Sequence, residues 1–206
     1  MADTAQVTNL TQNPFDSWKS IVISLYMTLV GYGVLVGIPV ISTAWVTLLG
    51  FSEVEVGRVA GADLGGLSVG AVITAALIAK TSRRMLALIG LFIAVIANWF
   101  CISIVDYETV LWLRALSGVG SGIFTAVAVS SLGASSKPAL AYNAMLFAFA
   151  FSQALEMHFL PLLSMAGVYT VFIVCFLATL PFIGWIPNQS KQNQVPTSKS
   201  TESDNK

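Results

Sequence analysis

Charge is the scarcest ingredient of this 206-residue sequence: ten Lys and Arg and ten Asp and Glu, 10% of the chain. Soluble domains carry about 25%, so a water-soluble fold is excluded. The charges cancel to a net of zero, so nothing points to a nucleic-acid partner. Cysteine is nearly absent. Cys101 and Cys175 both sit within apolar runs, where they read as small hydrophobes rather than a disulfide or a metal pair. There is one histidine, and no Cys or His cluster has ligand spacing. The expectation is therefore no metal, no cofactor and no enzymatic catalytic set.

What is present is apolar length. Hydrophobic residues make up 56% of the chain, and the mean hydropathy is +0.80. Between Lys19 and Glu53 lie 33 residues without a charge, whereas about 20 apolar residues suffice to cross a bilayer as a helix. This run is too long for the apolar stretch of a signal peptide, about 7–15 residues, and no cleavage is expected. The pattern recurs, predicting an all-α polytopic membrane protein with six helices near Ile21–Trp45, Val56–Ala79, Met85–Val105, Thr109–Gly133, Ala139–Ser164 and Val168–Ile186. The short loops suggest that consecutive helices are antiparallel neighbours. The chain then divides into a cytoplasmic segment 1–20, a six-helix domain 21–186 and a polar tail 187–206, expected to be disordered.

Positive charge sets the orientation. Lys19, the loop with Lys80, Arg83 and Arg84, the loop with Lys137, and the tail with Lys191, Lys199 and Lys206 fall on one side. The opposite loops carry Glu53, Glu55, Asp106 and Glu108 and no Lys or Arg. Positive loops mark the cytoplasm, so both termini are expected there. The expected location is a plasma membrane, a bacterial inner membrane, with the lipid bilayer as the first partner.

Glycines recur at steps of four. Gly57, Gly61 and Gly65 share a face of helix two, Gly118 and Gly122 of helix four, and Gly33 and Gly37 of helix one. Such spacing lets membrane helices approach closely, so Gly61, Gly65, Gly118, Gly120 and Gly122 are expected packing positions. A shift of 87 residues lays Gly31 and Gly33 on Gly118 and Gly120. That suggests a repeat of helices one to three as four to six, a habit of transporters.

Three segments resemble the N-terminal half of a major facilitator superfamily transporter. Ala75–Arg84 is similar to the family's loop motif between helices two and three: Lys80, Arg83 and Arg84 match its basic positions, while Ala75, Ala79 and Ser82 replace a glycine, an aspartate and a second glycine. The missing aspartate departs from the family's conformational latch. Arg114-Ala-Leu-Ser-Gly118-Val-Gly120-Ser-Gly122 resembles its arginine-and-glycine motif on helix four. Gly61-Ala-Asp63-Leu-Gly65-Gly66, followed by Gly70, resembles its second helix. The resemblance implies alternating-access transport of a small solute, often proton-coupled, with helices one and four lining the path and helices three and six facing lipid. Family members have twelve helices in two halves, with the path between the halves. This chain would therefore work with a second copy, work with a second six-helix half, or represent a remnant that does not transport.

Four ionisable residues fall inside the spans: Asp63, Arg114, Glu156 and His158. Charges in lipid are costly and usually pair inside the bundle. Counted from the cytoplasmic ends, Asp63, Glu156 and Arg114 lie at a similar depth, about 25–28 Å. Arg114 is expected to pair with Asp63 or with Glu156, leaving the other acid freer to exchange a proton or meet solute. Tyr26, Thr28 and Tyr32 on helix one, and Asn143 and Gln153 on helix five, are candidate hydrogen-bonding groups along the path, and equally candidate interhelical contacts. Pro39 is expected to bend helix one. Ser121 between two glycines suggests, remotely, an intramembrane serine protease. Helix six, however, has no histidine, and His158 falls one to two turns from the depth of Ser121.

Overall fold

The computed structural model describes residues 13–188, and within them the chain is helical with no strand. The expectations for the tail from residue 189 on, and for residues 1–12, lie outside the described residues. The helices are α1 (Trp18–Gly31), α2 (Gly33–Leu49), α3 (Glu53–Leu77), α4 (Arg83–Ser103), α5 (Tyr107–Gly133), α6 (Pro138–Phe159) and α7 (Met165–Leu177). Short 3-10 turns precede α1 (Pro14–Asp16), follow α6 (Leu160–Leu162) and follow α7 (Leu180–Trp185). Grouped by continuity, they make six stretches long and apolar enough to cross a membrane, from Trp18–Leu49 to Met165–Trp185.

Local chemistry explains the boundaries. Ser52 and Glu55 form a reciprocal capping box at the start of α3, with the Ser52 N–H donating to Glu55 Oε2 at 2.8 Å. Asp106 accepts from the Thr109 N–H at 3.1 Å and opens α5, and Ser164 does the same for α7 through Gly167. Each satisfies an otherwise orphaned backbone donor, and an acid there also suits the helix dipole. α2 ends at Gly50, whose φ of 73° is left-handed and favours glycine. The first span is interrupted at Tyr32, between α1 and α2, whereas Pro39 lies inside α2 without ending it.

α5 is the hub. It packs along α3 and α4 and also against α1, while α4 packs on α7. The expectation that consecutive helices are neighbours fails for two pairs: α3 does not pack substantially on α4, nor α6 on α7. In the first case α5 occupies the groove. The reason lies in where small residues face. A Cβ on Gly66 would strike the Ala115 carbonyl, one on Gly70 the Val119 carbonyl, and those on Gly118 and Gly122 the carbonyls of Asp63 and Leu67. Gly90 and Gly120 hold α4 against α5 in the same way, each 2.6 Å from the other's carbonyl oxygen if given a Cβ. Backbone-to-backbone approach of this kind drives helix association in lipid.

Gly61 and Gly65 are therefore corrected as packing positions. Together with Gly57 they meet no atom of the described residues within 4 Å of an added Cβ and lie on the exposed side of α3. The four-residue spacing rightly groups them on one face, but the face that packs is the one carrying Gly66 and Gly70. Coverage across the bundle is correspondingly uneven: 67% of the most apolar stretch of α5 is buried, against 28% for α3 and 6% for the span containing α6.

Candidate functional site

The centre of the bundle is a polar cluster built on α3, α4, α5 and α7. Arg114 and Asp63 are both buried, and Arg114 Nη2 donates to Asp63 Oδ2 at 2.6 Å. The other guanidinium nitrogen, Nη1, donates to Asn98 Oδ1 at 2.8 Å. The Asn98 amide in turn donates to the Ala94 carbonyl at 2.8 Å and to Ser117 Oγ at 3.0 Å. The guanidinium carbon lies 5.8 Å from the centre of the Tyr169 ring, within cation–π range. The hydroxyl of Tyr169 accepts from Trp45 Nε1 at 3.0 Å. This arrangement satisfies most of what burial would otherwise leave unpaired, with Arg114 Nε the exception. Its chemistry is that of a neutralised pair sewing four helices together.

Arg114 thus meets Asp63 and not Glu156. Glu156 projects from α6 towards α2 in a different place. Its Oε1 accepts from Ser152 at 2.9 Å, while its Oε2 is buried without a partner among the described residues. Oε2 lies over Gly37, where an added Cβ would stand 2.8 Å from it, and Oε1 lies 3.8 Å from a Cβ on Gly33. The surroundings are otherwise apolar: Ile41, Leu160 and Phe172 flank these two glycines. One turn away, the Tyr32 ring stacks edge-on against Phe149 of α6, centroids 5.4 Å apart.

Tyr32 also borders a cleft of about 250 Å³ between α3 and α5, lined by Leu67, Ala71 and Thr74 from one helix and by Thr125, Val129 and Ser130 from the other. Two of its polar groups are engaged within their own helices, the Thr74 hydroxyl with the Gly70 carbonyl at 3.0 Å and the Thr125 hydroxyl with the Ser121 carbonyl at 2.7 Å. Gly31 presses against Thr125, which seats the junction of α1 and α2 on α5.

The remaining expected site residues scatter. The Tyr26 hydroxyl donates to the Cys175 carbonyl at 2.9 Å, so it ties α1 to α7. Thr28 is buried and donates to the Leu25 carbonyl. Asn143 and Gln153 are exposed on α6. His158 is exposed, edge-on to Phe159, while Ser121 is buried.

The basic loop residues divide. Lys80 is exposed. Arg83 is buried, donating to Ser130 at 3.1 Å and Ser131 at 2.9 Å on α5, with its guanidinium 4.7 Å from the Phe15 ring centre. Arg84 donates to the carbonyls of Ile186 at 2.8 Å and Gly184 at 2.7 Å, closing the end of the last span. Sequence reasoning passed over Asn98, Trp45 and Tyr169. Asn98 carried a signal: it is the one amide in the apolar run Met85–Ser103. The two aromatics carried none, since nothing marks them off from other apolar positions.

No family model matches this chain, and no curated protein matches it at a meaningful level of similarity.

Proposed function

We propose that this chain is a membrane transporter, or one half of one, that moves a small solute by alternating access. The observation that carries the reading is the uneven coverage of the bundle. α3 and α6 are the least covered spans, yet the exposed surface of α3 presents Gly57, Gly61, Gly65 and Ser68, and that of α6 presents Asn143 and Gln153. A surface meant only for lipid has no use for exposed amides or for a run of small residues. α3 lines the cleft at Tyr32, and α6 reaches its edge through Phe149 against the Tyr32 ring, so the open side of the bundle is where a solute path would form once a second copy or a second six-helix half covers it. The resemblance to the N-terminal half of a major facilitator protein, the repeat of three helices plus three, and the placement of both termini in the cytoplasm of a bacterial inner membrane belong to the same reading.

Within it the two acids take different parts. Asp63 is neutralised by Arg114 and holds the fold. Glu156 has no cationic partner among the described residues, and it is the acid available to exchange a proton. A non-transporting partner role is the second reading. It is favoured by Arg83, which is tied to α5 and Phe15 rather than left free to switch.

The test is uptake by the purified chain in liposomes, using a panel of small polar and anionic solutes, with and without an imposed pH gradient. Uptake that the gradient accelerates, and that Glu156→Gln uncouples from it, is the expected result. No uptake by the chain alone, or with a co-purified six-helix partner, removes the transport reading.

A further inference from the structure

The seat of Glu156 has a property that transport as such does not require. Three observations meet there. The carboxyl is held at Oε1 by Ser152, while Oε2 rests on Gly37 with no donor in reach. α6, which carries it, is the least buried span, so few contacts fix where α6 lies. The wall it touches is the first turns of α2, directly after the only interruption in the first span.

We infer that Glu156 is a proton-binding site that works as a latch, seating α6 on α2 when protonated and releasing it when charged. The proposal deepens the transport reading and rests on it for its purpose, but not for its geometry. A protonated carboxyl is neutral and can lie against Gly37, Ile41 and Leu160 with only the Ser152 bond. A carboxylate in the same place would have one oxygen shut off from solvent without a donor among the described residues, which is costly. Deprotonation therefore favours an arrangement in which Glu156 reaches water and α6 leaves Gly33 and Gly37. The proton moves between Oε2 and bulk water, and no other bond changes.

Among the described residues no cation competes for the carboxyl. Among the same residues, the titratable groups around it are Tyr32 at the break and Cys175 on α7, with Tyr26 bonded to the Cys175 carbonyl. None of them carries positive charge, and Arg114, the buried cation of α5, is occupied by Asp63. His158, two residues along α6, is exposed. The glycines are part of the device. Their missing Cβ atoms make the seat, and their position beside Tyr32 lets the motion of α6 reach the α1–α2 junction and, through the Tyr32–Phe149 stack, the cleft.

The test is a distance measurement between spin labels at two exposed positions outside the site, Leu35 on α2 and Leu146 on α6. It is made on the full chain in liposomes, from about pH 5 to about pH 9. One short distance in acid, giving way to a longer or broader distribution in base, is expected. Glu156→Gln, a neutral mimic, keeps the short distance throughout. Gly37→Ala, whose Cβ would stand 2.8 Å from Oε2, gives the long distance throughout. A distribution that does not change with pH, or that changes equally in Glu156→Gln, overturns the latch. The readout needs no solute. A pH-dependent distance without uptake removes the transport reading and leaves the latch. Proton-driven uptake with an invariant distance does the reverse.

Discussion

Asp63 and Glu156 are both carboxyls inside apolar spans, on the two least covered helices of the bundle, yet their surroundings differ. Asp63 faces inward onto α5, 2.6 Å from Arg114, in a network that continues through Asn98 to Ser117. Glu156 faces α2 with a serine on one oxygen and nothing on the other. A buried pair is weak evidence for stability, because desolvation offsets much of the attraction, but it is hard to break by halves. An unpartnered carboxyl has the opposite character: it can lose or gain its charge without stranding another. Side-chain inventory alone makes the two acids equivalent, and the direction each one faces separates structural duty from functional opportunity.

The largest effect should come from breaking the first of these environments. Arg114→Leu leaves the Asp63 carboxylate buried and alone, a loss of about 3–5 kcal/mol. Thermal unfolding in detergent should show a collapse of stability that Asp63→Asn added to Arg114→Leu partly restores. Glu156→Leu, by contrast, strands no partner and should leave the unfolding temperature close to that of the parent. If Glu156→Leu costs as much as Arg114→Leu, the distinction between the two acids is lost.

The same contrast can be sharpened with two adjacent glycines. Gly66→Ala drives a Cβ into the Ala115 carbonyl and should cost about 1–3 kcal/mol, as overpacking does. Gly65→Ala meets open space and should stabilise the isolated chain by about 0.5–1 kcal/mol through helix propensity alone. Opposite shifts in unfolding temperature are the expected reading. Equal shifts would mean that α3 does not face α5 as described.

The existence and length of the spans were legible from the sequence, because a bilayer imposes a length on any apolar helix. The expected first span Ile21–Trp45 and the observed Trp18–Leu49 differ by a turn at each end, where caps and interfacial residues decide. Neighbourhood was not legible. Gly57, Gly61, Gly65 and the pair Gly66 and Gly70 all have four-residue spacing, and periodicity identifies a shared face without saying what stands opposite. Asn98 escaped notice as the second partner of Arg114 because the match is made across helices, 16 residues apart. In the sequence Arg83 reads as part of a loop motif. Its burial depends on Ser130 and Ser131 of α5 and on Phe15 arriving from two other parts of the chain.

The smallest expected effect lies at the end of the molecule away from both buried acids. Here a third carboxyl makes the comparison with Asp63 and Glu156 in an exposed setting. Residues 13–16 strap the start of α1 to the α5–α6 connection: Asn13 donates to the Ala134 carbonyl at 2.8 Å, and the Ser136 N–H donates to Asp16 Oδ1 at 2.7 Å. That backbone donor holds the Asp16 carboxyl below the ordinary carboxylate range, with Lys137 adding a smaller pull in the same direction. Because the folded value is depressed, the strap's contribution is complete above the unfolded value of about 4 and is lost as pH falls through the folded one. Asp16 is fully exposed, so solvent screening keeps the effect small. Hydrogen exchange at the Ser136 amide, expressed relative to its intrinsic rate, should therefore show modest protection near neutrality that fades in acid. Asp16→Ala should remove both the protection and its pH dependence. If the variant protects Ser136 as well as the parent does, then Asn13 and the Phe15–Arg83 contact hold the strap without the carboxylate, and charge matters in this molecule only where water is excluded.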